Sequence, residues 1–190
     1  MPSSPVTRLL PLALLLGACG GGPKGGGETK AADPAGLPAI EVCQIVSPAD
    51  AGRFLGEEVG EGKKRIDQRN EAGGIVVTNC LYSAPSYRGL SVLVRYSASE
   101  SPPTSFDALK AAVAKGDDAV SGMGQDLLDA SAPVQGLGSM AYWTPEIKTL
   151  TAYDGHYQVS VNADPPKGQP DSAQALATAV MEHVLGKLPR

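Results

Sequence analysis

The side chains able to do chemistry in this sequence are few and scattered. Its two histidines, His156 and His183, lie far apart. His156 follows Asp154-Gly155, where a hairpin turn would leave it in solvent. His183 stands beside Met181, Glu182 and Val184 on a helical stretch, off the apolar stripe. A zinc site wants imidazole and thiolate ligands at short spacing, and neither histidine has such company. A serine nucleophile wants a strained elbow such as Gly-x-Ser-x-Gly. Gly136-Leu137-Gly138-Ser139-Met140 departs from that pattern, and its glycines suit a turn leading into a strand. They make no phosphate loop either, since no Lys-Ser or Lys-Thr follows. Asp117-Asp118, and Asp126 with Asp129, lack the alternating acids around a central glycine that a calcium loop uses. Lys63-Lys64-Arg65 could touch anionic headgroups, but Glu57, Glu58, Glu61 and Asp67 flank it and favour a solvated loop. No catalytic, cofactor or metal constellation is expected.

Tyr142-Trp143 is the one aromatic pair that could make a contact site. On a strand, one ring faces the core and the other faces out. An outward Trp143 would be a contact for a partner or an apolar ligand, whereas an inward one fills the core.

Thiol chemistry is more informative. Arg8 and the apolar run Leu9 to Leu16 have the make-up of an export signal, and the run falls short of the roughly 20 apolar residues needed to span a bilayer. It ends in Leu16-Gly17-Ala18-Cys19, which resembles the bacterial lipobox. The expectation is a signal peptide at 1–18, lipid on Cys19, and anchorage to a membrane through it. Lipidation of Cys19 leaves Cys43 and Cys80 as an even pair in an oxidising compartment, where a disulfide is expected. Such a bridge closes a loop of about 38 residues, a constraint worth about 4 kcal/mol. Two buried free thiols are the rival reading, and a metal held by these two alone is weaker still.

Gly20-Gly21-Gly22-Pro23-Lys24-Gly25-Gly26-Gly27 and the polar run to Ala39 read as a flexible tether with a reach of about 25 Å. Gly20 stands where an inner-membrane retention signal would place Asp. In a cell with two membranes the outer one is therefore favoured. The formal charge is −4 and becomes one unit more negative on loss of Arg8. A nucleic-acid binder would show a clustered basic face, so none is expected.

The elements that must position any site are those of one domain, 40–190. Ser47-Pro48-Ala49-Asp50 starts a short helix by capping-box chemistry, and Gly56 ends it. Ile75 to Tyr82 reads as a strand with Val76, Thr78, Cys80 and Tyr82 on one face. Leu90 to Tyr96 reads as another, with Leu90, Val92, Val94 and Tyr96 inward. Thr104 or Ser105 caps a helix from Phe106 to about Lys115. Residues 116–133 read as loop, with a strand around Asp126–Asp129. Lys148 to Val161 forms a hairpin with Asp154-Gly155 as its two-residue turn. Asp171 or Ser172 caps a closing amphipathic helix carrying Leu176, Val180, Val184 and Leu188. The fold class is α+β: an antiparallel sheet with helices on one face, stapled by a disulfide.

Cys43 before the capped helix, Cys80-Leu81-Tyr82 in the strand, and Gly136-Leu137-Gly138-Ser139-Met140-Ala141 ahead of the last hairpin carry a wider likeness. With the lipobox and the closing helix, the chain resembles the small two-cysteine envelope lipoproteins common in actinobacteria and found in other bacteria. The resemblance spans about residues 40–188. It implies a cysteine pair and an antiparallel α+β domain, distantly similar to small envelope proteins that bind ligands or partners, and it implies no reaction. The expected function is a non-enzymatic binding module facing the periplasm or cell exterior, its partner an envelope protein, a lipid or a cell-wall component. An envelope hydrolase with residues gathered from separate strands, or a carrier of a small apolar ligand, are the alternatives.

Overall fold

The structure is a computed structural model and describes residues 36–70, 74–115, 119–169 and 172–190. The expected signal peptide, Cys19, most of the tether, Asp117-Asp118 and Asp171 lie outside the described residues. α1 (Val42–Ile45) and α2 (Pro48–Leu55) open the domain. α2 starts as local chemistry dictates. Ser47 Oγ accepts from the Asp50 N–H at 3.1 Å, and Asp50 Oδ2 accepts from the Ser47 N–H at 3.1 Å. Gly56, at φ +71°, closes it in the left-handed region.

Seven antiparallel strands follow in one sheet: β1 (Asp67–Asn70), β2 (Ile75–Ser83), β3 (Gly89–Tyr96), β4 (Ala132–Val134), β5 (Met140–Thr144), β6 (Thr149–Asp154) and β7 (Tyr157–Ala163). Their order across the sheet is β1-β2-β3-β7-β6-β5-β4. β3 pairs with β7 from Leu90↔Ala163 to Tyr96↔Tyr157, which joins the two halves of the chain at the centre. Alternation then places Cys80, Val92, Val161, Leu150 and Trp143 side by side on one face. Against them pack α1, α2 and α5 (Ala173–Leu185), whose Ala177, Val180, Met181 and Val184 are fully buried. The fold is α+β, with its core on that face.

The reverse face also carries helices, in addition to the one-sided arrangement read from the sequence. α3 (Phe106–Val113) and α4 (Ala119–Asp129) lie against β5, with the Phe106 ring 5.2 Å from that of Tyr142. The Ser131 and Thr144 hydroxyls, 2.7 Å apart, fix the return to the sheet. α4 occupies residues read as loop and strand. Gly122 and Gly124 lower helix propensity there by about 1 kcal/mol each, yet Gly124 lets α3 and α4 approach. A Cβ at that position would meet Val113 Cγ1 at 3.3 Å.

Two strands were not read as such, and one turn moves. β1 falls in the charged stretch and β4 in the loop, because edge pairing is made by backbone and needs no apolar alternation. The 140s segment is β5. In the last hairpin Asp154 pairs with Tyr157, so Gly155-His156 and not Asp154-Gly155 forms the turn. Only the first central residue, Gly155 at φ +55°, is left-handed. The turn then needs Gly at one position, as in a type II′ hairpin.

The Cys43–Cys80 disulfide is formed, with its Cα atoms 5.2 Å apart. It pins α1 to β2. Beside it the buried Tyr82 hydroxyl donates to Val46 O and, at 3.3 Å, to Cys43 O. Loss of solvation holds its phenol up to about 12, so it stays a donor throughout the physiological range.

Candidate functional site

The structure disperses the residues singled out for chemistry. His156 is exposed in the β6–β7 turn. His183, on α5, faces Asp50 Oδ2 at 3.4 Å and stacks edge-on against Phe54. Ser47 sits in the same cluster, but its hydroxyl donates to Asp50 at 2.8 Å rather than to the imidazole. That hydrogen bond, made by a helix cap, holds the Asp50 carboxyl well below the usual range. Ser139 Oγ is committed to the Tyr153 carbonyl at 3.0 Å. Lys64 is paired with Glu41 at 2.8 Å and Asp67 at 3.2 Å. Asp129 is paired with Lys110 on the face of the α3–α4 pair. No group of three or more His, Cys, Asp or Glu placed to hold a metal occurs among the described residues. Trp143 is the inward member of the aromatic pair, 9% exposed within the core cluster. Tyr142 is the outward one and is half-buried against Phe106.

Unusual backbone gathers elsewhere. Among the described residues only two non-glycine residues have positive φ, Tyr87 at +65° and Lys148 at +49°. Both line one groove of about 410 Å³, with Arg88, Asp164 and Lys167. Tyr87 ends the loop between β2 and β3. The Tyr87 N–H donates to Ala84 O at 3.0 Å and the Ala84 N–H to Arg88 O at 2.8 Å, with Pro85-Ser86 at the tip. A three-residue hairpin loop of this kind closes with a left-handed residue, where Gly is favoured. Tyrosine is here instead, at a cost of about 1–2 kcal/mol, and its side chain is 97% exposed. Nothing in the fold gains from that ring. Strain retained at an exposed aromatic points to a role outside the fold.

Neighbouring elements fix the groove walls. Lys148 ends a 3₁₀ turn (Pro145–Ile147), and Asn162 Nδ2 holds it by donating to Ile147 O at 2.7 Å and Lys148 O at 3.2 Å. Ile147 is 48% exposed beside it. Asp164 fastens the start of β3 through the Gly89 N–H at 3.0 Å. Arg88 bridges Glu57, at 3.3 Å, and the Asp164 carbonyl, at 3.3 Å. Its second terminal nitrogen, NH2, is buried without a hydrogen-bond partner among the described residues. Lys148 and Lys167 are exposed and belong to no ion pair among the described residues.

The groove lies at one pole. The chain enters at the other, where Gly36 neighbours Ala98 and the Ile40 N–H donates to the Tyr96 hydroxyl at 3.2 Å. β3, 8 residues long, connects the two, a span of about 25 Å. A second, more apolar groove of about 450 Å³ lies at the entry pole, between Leu37, Tyr157 and Leu188. None of Tyr87, Arg88, Lys148 or Lys167 was singled out in sequence. The available signal was a tyrosine in a short Pro-Ser hairpin loop, where Gly or Asn is the cheaper choice. No helix among the described residues is long and apolar enough to cross a membrane. Compared with known proteins, the chain matches no family model, no curated protein and no solved structure.

Proposed function

We propose that this protein is a lipid-anchored lipoprotein of a bacterial envelope and serves as a non-enzymatic binding module, presenting the pole opposite its tether to an envelope partner. One observation carries the reading: both left-handed non-glycine residues line a single open groove that holds a fully exposed tyrosine. The anchor follows from Leu16-Gly17-Ala18-Cys19 behind an apolar run, and the tether from the glycine-rich stretch after it. The domain would face the periplasm or cell exterior, on the outer membrane where there are two.

Two outcomes test the reading. Cys19→Ala should leave unprocessed precursor and abolish labelling by a fatty-acid probe, whereas normal maturation of that variant would refute the anchor. Tyr87→Gly should stabilise the domain by about 1 kcal/mol, because the relieved left-handed strain exceeds the extra chain entropy of glycine. It should at the same time lose retention on detergent-extracted cell-wall material of the source cells, where the lipid anchor contributes nothing. A variant that retains binding would remove the groove from the function.

A further inference from the structure

We infer that the groove at Tyr87 is a site for an anionic glycan, a sugar chain bearing carboxylate or phosphodiester groups. This rests on the binding-module reading above. Within an acidic chain, Arg88, Lys148 and Lys167 converge on one concavity. The acids nearest them are already engaged. Glu57 accepts from the Ser86 hydroxyl and from Arg88, and Asp164 accepts from the Gly89 N–H. With Glu57 paired to Arg88, the two exposed lysines outweigh the single Asp164 carboxylate, and the net positive field of the groove is complementary to an anion. Arg88, held by Glu57 and the Asp164 carbonyl, forms a fixed wall of that concavity beside the two lysines.

Tyr87 decides the rest of the ligand. Its ring is free on its flanks and stands at the groove wall as a platform, not as the lining of a pocket. The C–H face of a sugar ring is flat and apolar and lies well on such a platform. An acidic peptide would instead need a recess for its side chains. A headgroup of the anchoring membrane would supply the same anionic group without the ring face that Tyr87 offers to stack on. Ring stacking beside fixed positive charge fits repeating anionic sugars.

The test uses the mature, lipidated protein in neutral detergent, with binding measured to immobilised polygalacturonate (carboxylate) and phosphomannan (phosphodiester). Neutral dextran and glycerophosphoglycerol, the soluble headgroup of phosphatidylglycerol offered as a competitor, serve as the contrasting arms. Binding to at least one charged glycan is expected, none to dextran, and weakening as salt screens the charges. Reversing both lysines (Lys148→Glu with Lys167→Glu) should weaken it by about tenfold or more, and Tyr87→Ala comparably, with the melting curve unchanged or raised. Which charged glycan binds identifies the anionic group. No binding to either, undiminished binding by the lysine variant, or displacement of the bound glycan by an equal concentration of the headgroup would overturn the inference. If the glycans fail while Tyr87→Gly still abolishes retention on detergent-extracted cell-wall material, the binding-module reading survives and only the ligand class is wrong.

Discussion

Removing the Cys43–Cys80 bridge should lower the unfolding free energy by about 4 kcal/mol, the chain-entropy value for a loop of this length. The two cysteines differ in how a replacement is received. Cys43 on α1 is only partly buried, so Cys43→Ser costs less desolvation than the same change at Cys80 and leaves Cys80 as a thiol in apolar surroundings, which it tolerates. Cys80 is fully buried on the core face of β2. Cys80→Ser therefore adds the cost of a buried hydroxyl, about 1–3 kcal/mol more where no acceptor is in reach. Gly62 sharpens the contrast by packing directly on Cys80 Sγ and the Tyr82 ring, where even a Cβ would not fit. Urea unfolding should give midpoints in the order wild type, Cys43→Ser, Cys80→Ser. Equal midpoints for all three, or alkylation of both thiols in the folded native protein, would refute the bridge's contribution.

Gly138→Ala should be nearly as damaging, although the residue lies in a loop. Gly138 has φ +57°, and a Cβ there would fall 2.2 Å from the Tyr153 carbonyl oxygen. That oxygen cannot retreat, because it accepts from the Ser139 N–H at 2.7 Å and from Ser139 Oγ at 3.0 Å. Left-handed strain of about 1–2 kcal/mol then adds to overpacking of about 1–3 kcal/mol. The expected loss is about 2–5 kcal/mol. Gly136 is the internal control. It has φ +83° with nothing within 4 Å of its Cβ position, so Gly136→Ala should cost the strain alone. Thermal unfolding of the pair separates the two effects, and similar melting points would show that β6 yields to the added methyl.

The elements legible in the sequence are those whose cause is local. Ser47, Pro48 and Asp50 cap α2 through bonds within one turn, so residue type and spacing sufficed. β2 and β3 announced their inward faces by alternation. The β6–β7 turn shows where local chemistry gives way. Asp154-Gly155 favours one turn, but core-facing Leu150, Ala152, Tyr157, Val159 and Val161 fix the register, and a one-residue slip would turn every one of them to the other face. The turn moves to Gly155-His156 because the sheet outweighs the dipeptide.

From the sequence alone came the α+β class, the cysteine pair, the capped helix and the strands of the central sheet, all set by short-range pattern or by a count of residues. Tertiary structure alone decided that Trp143 faces the core, that α4 is a helix seated against α3, and that β1 and β4 are edge strands. It also decided the site. Tyr87, Lys148 and Lys167 are far apart in the chain and meet because β2–β3 and β5–β6–β7 run antiparallel, bringing three connections to one end of the sheet. A left-handed backbone at Tyr87 is imposed by closing a three-residue hairpin, and that closure is a property of the paired strands rather than of the tyrosine itself.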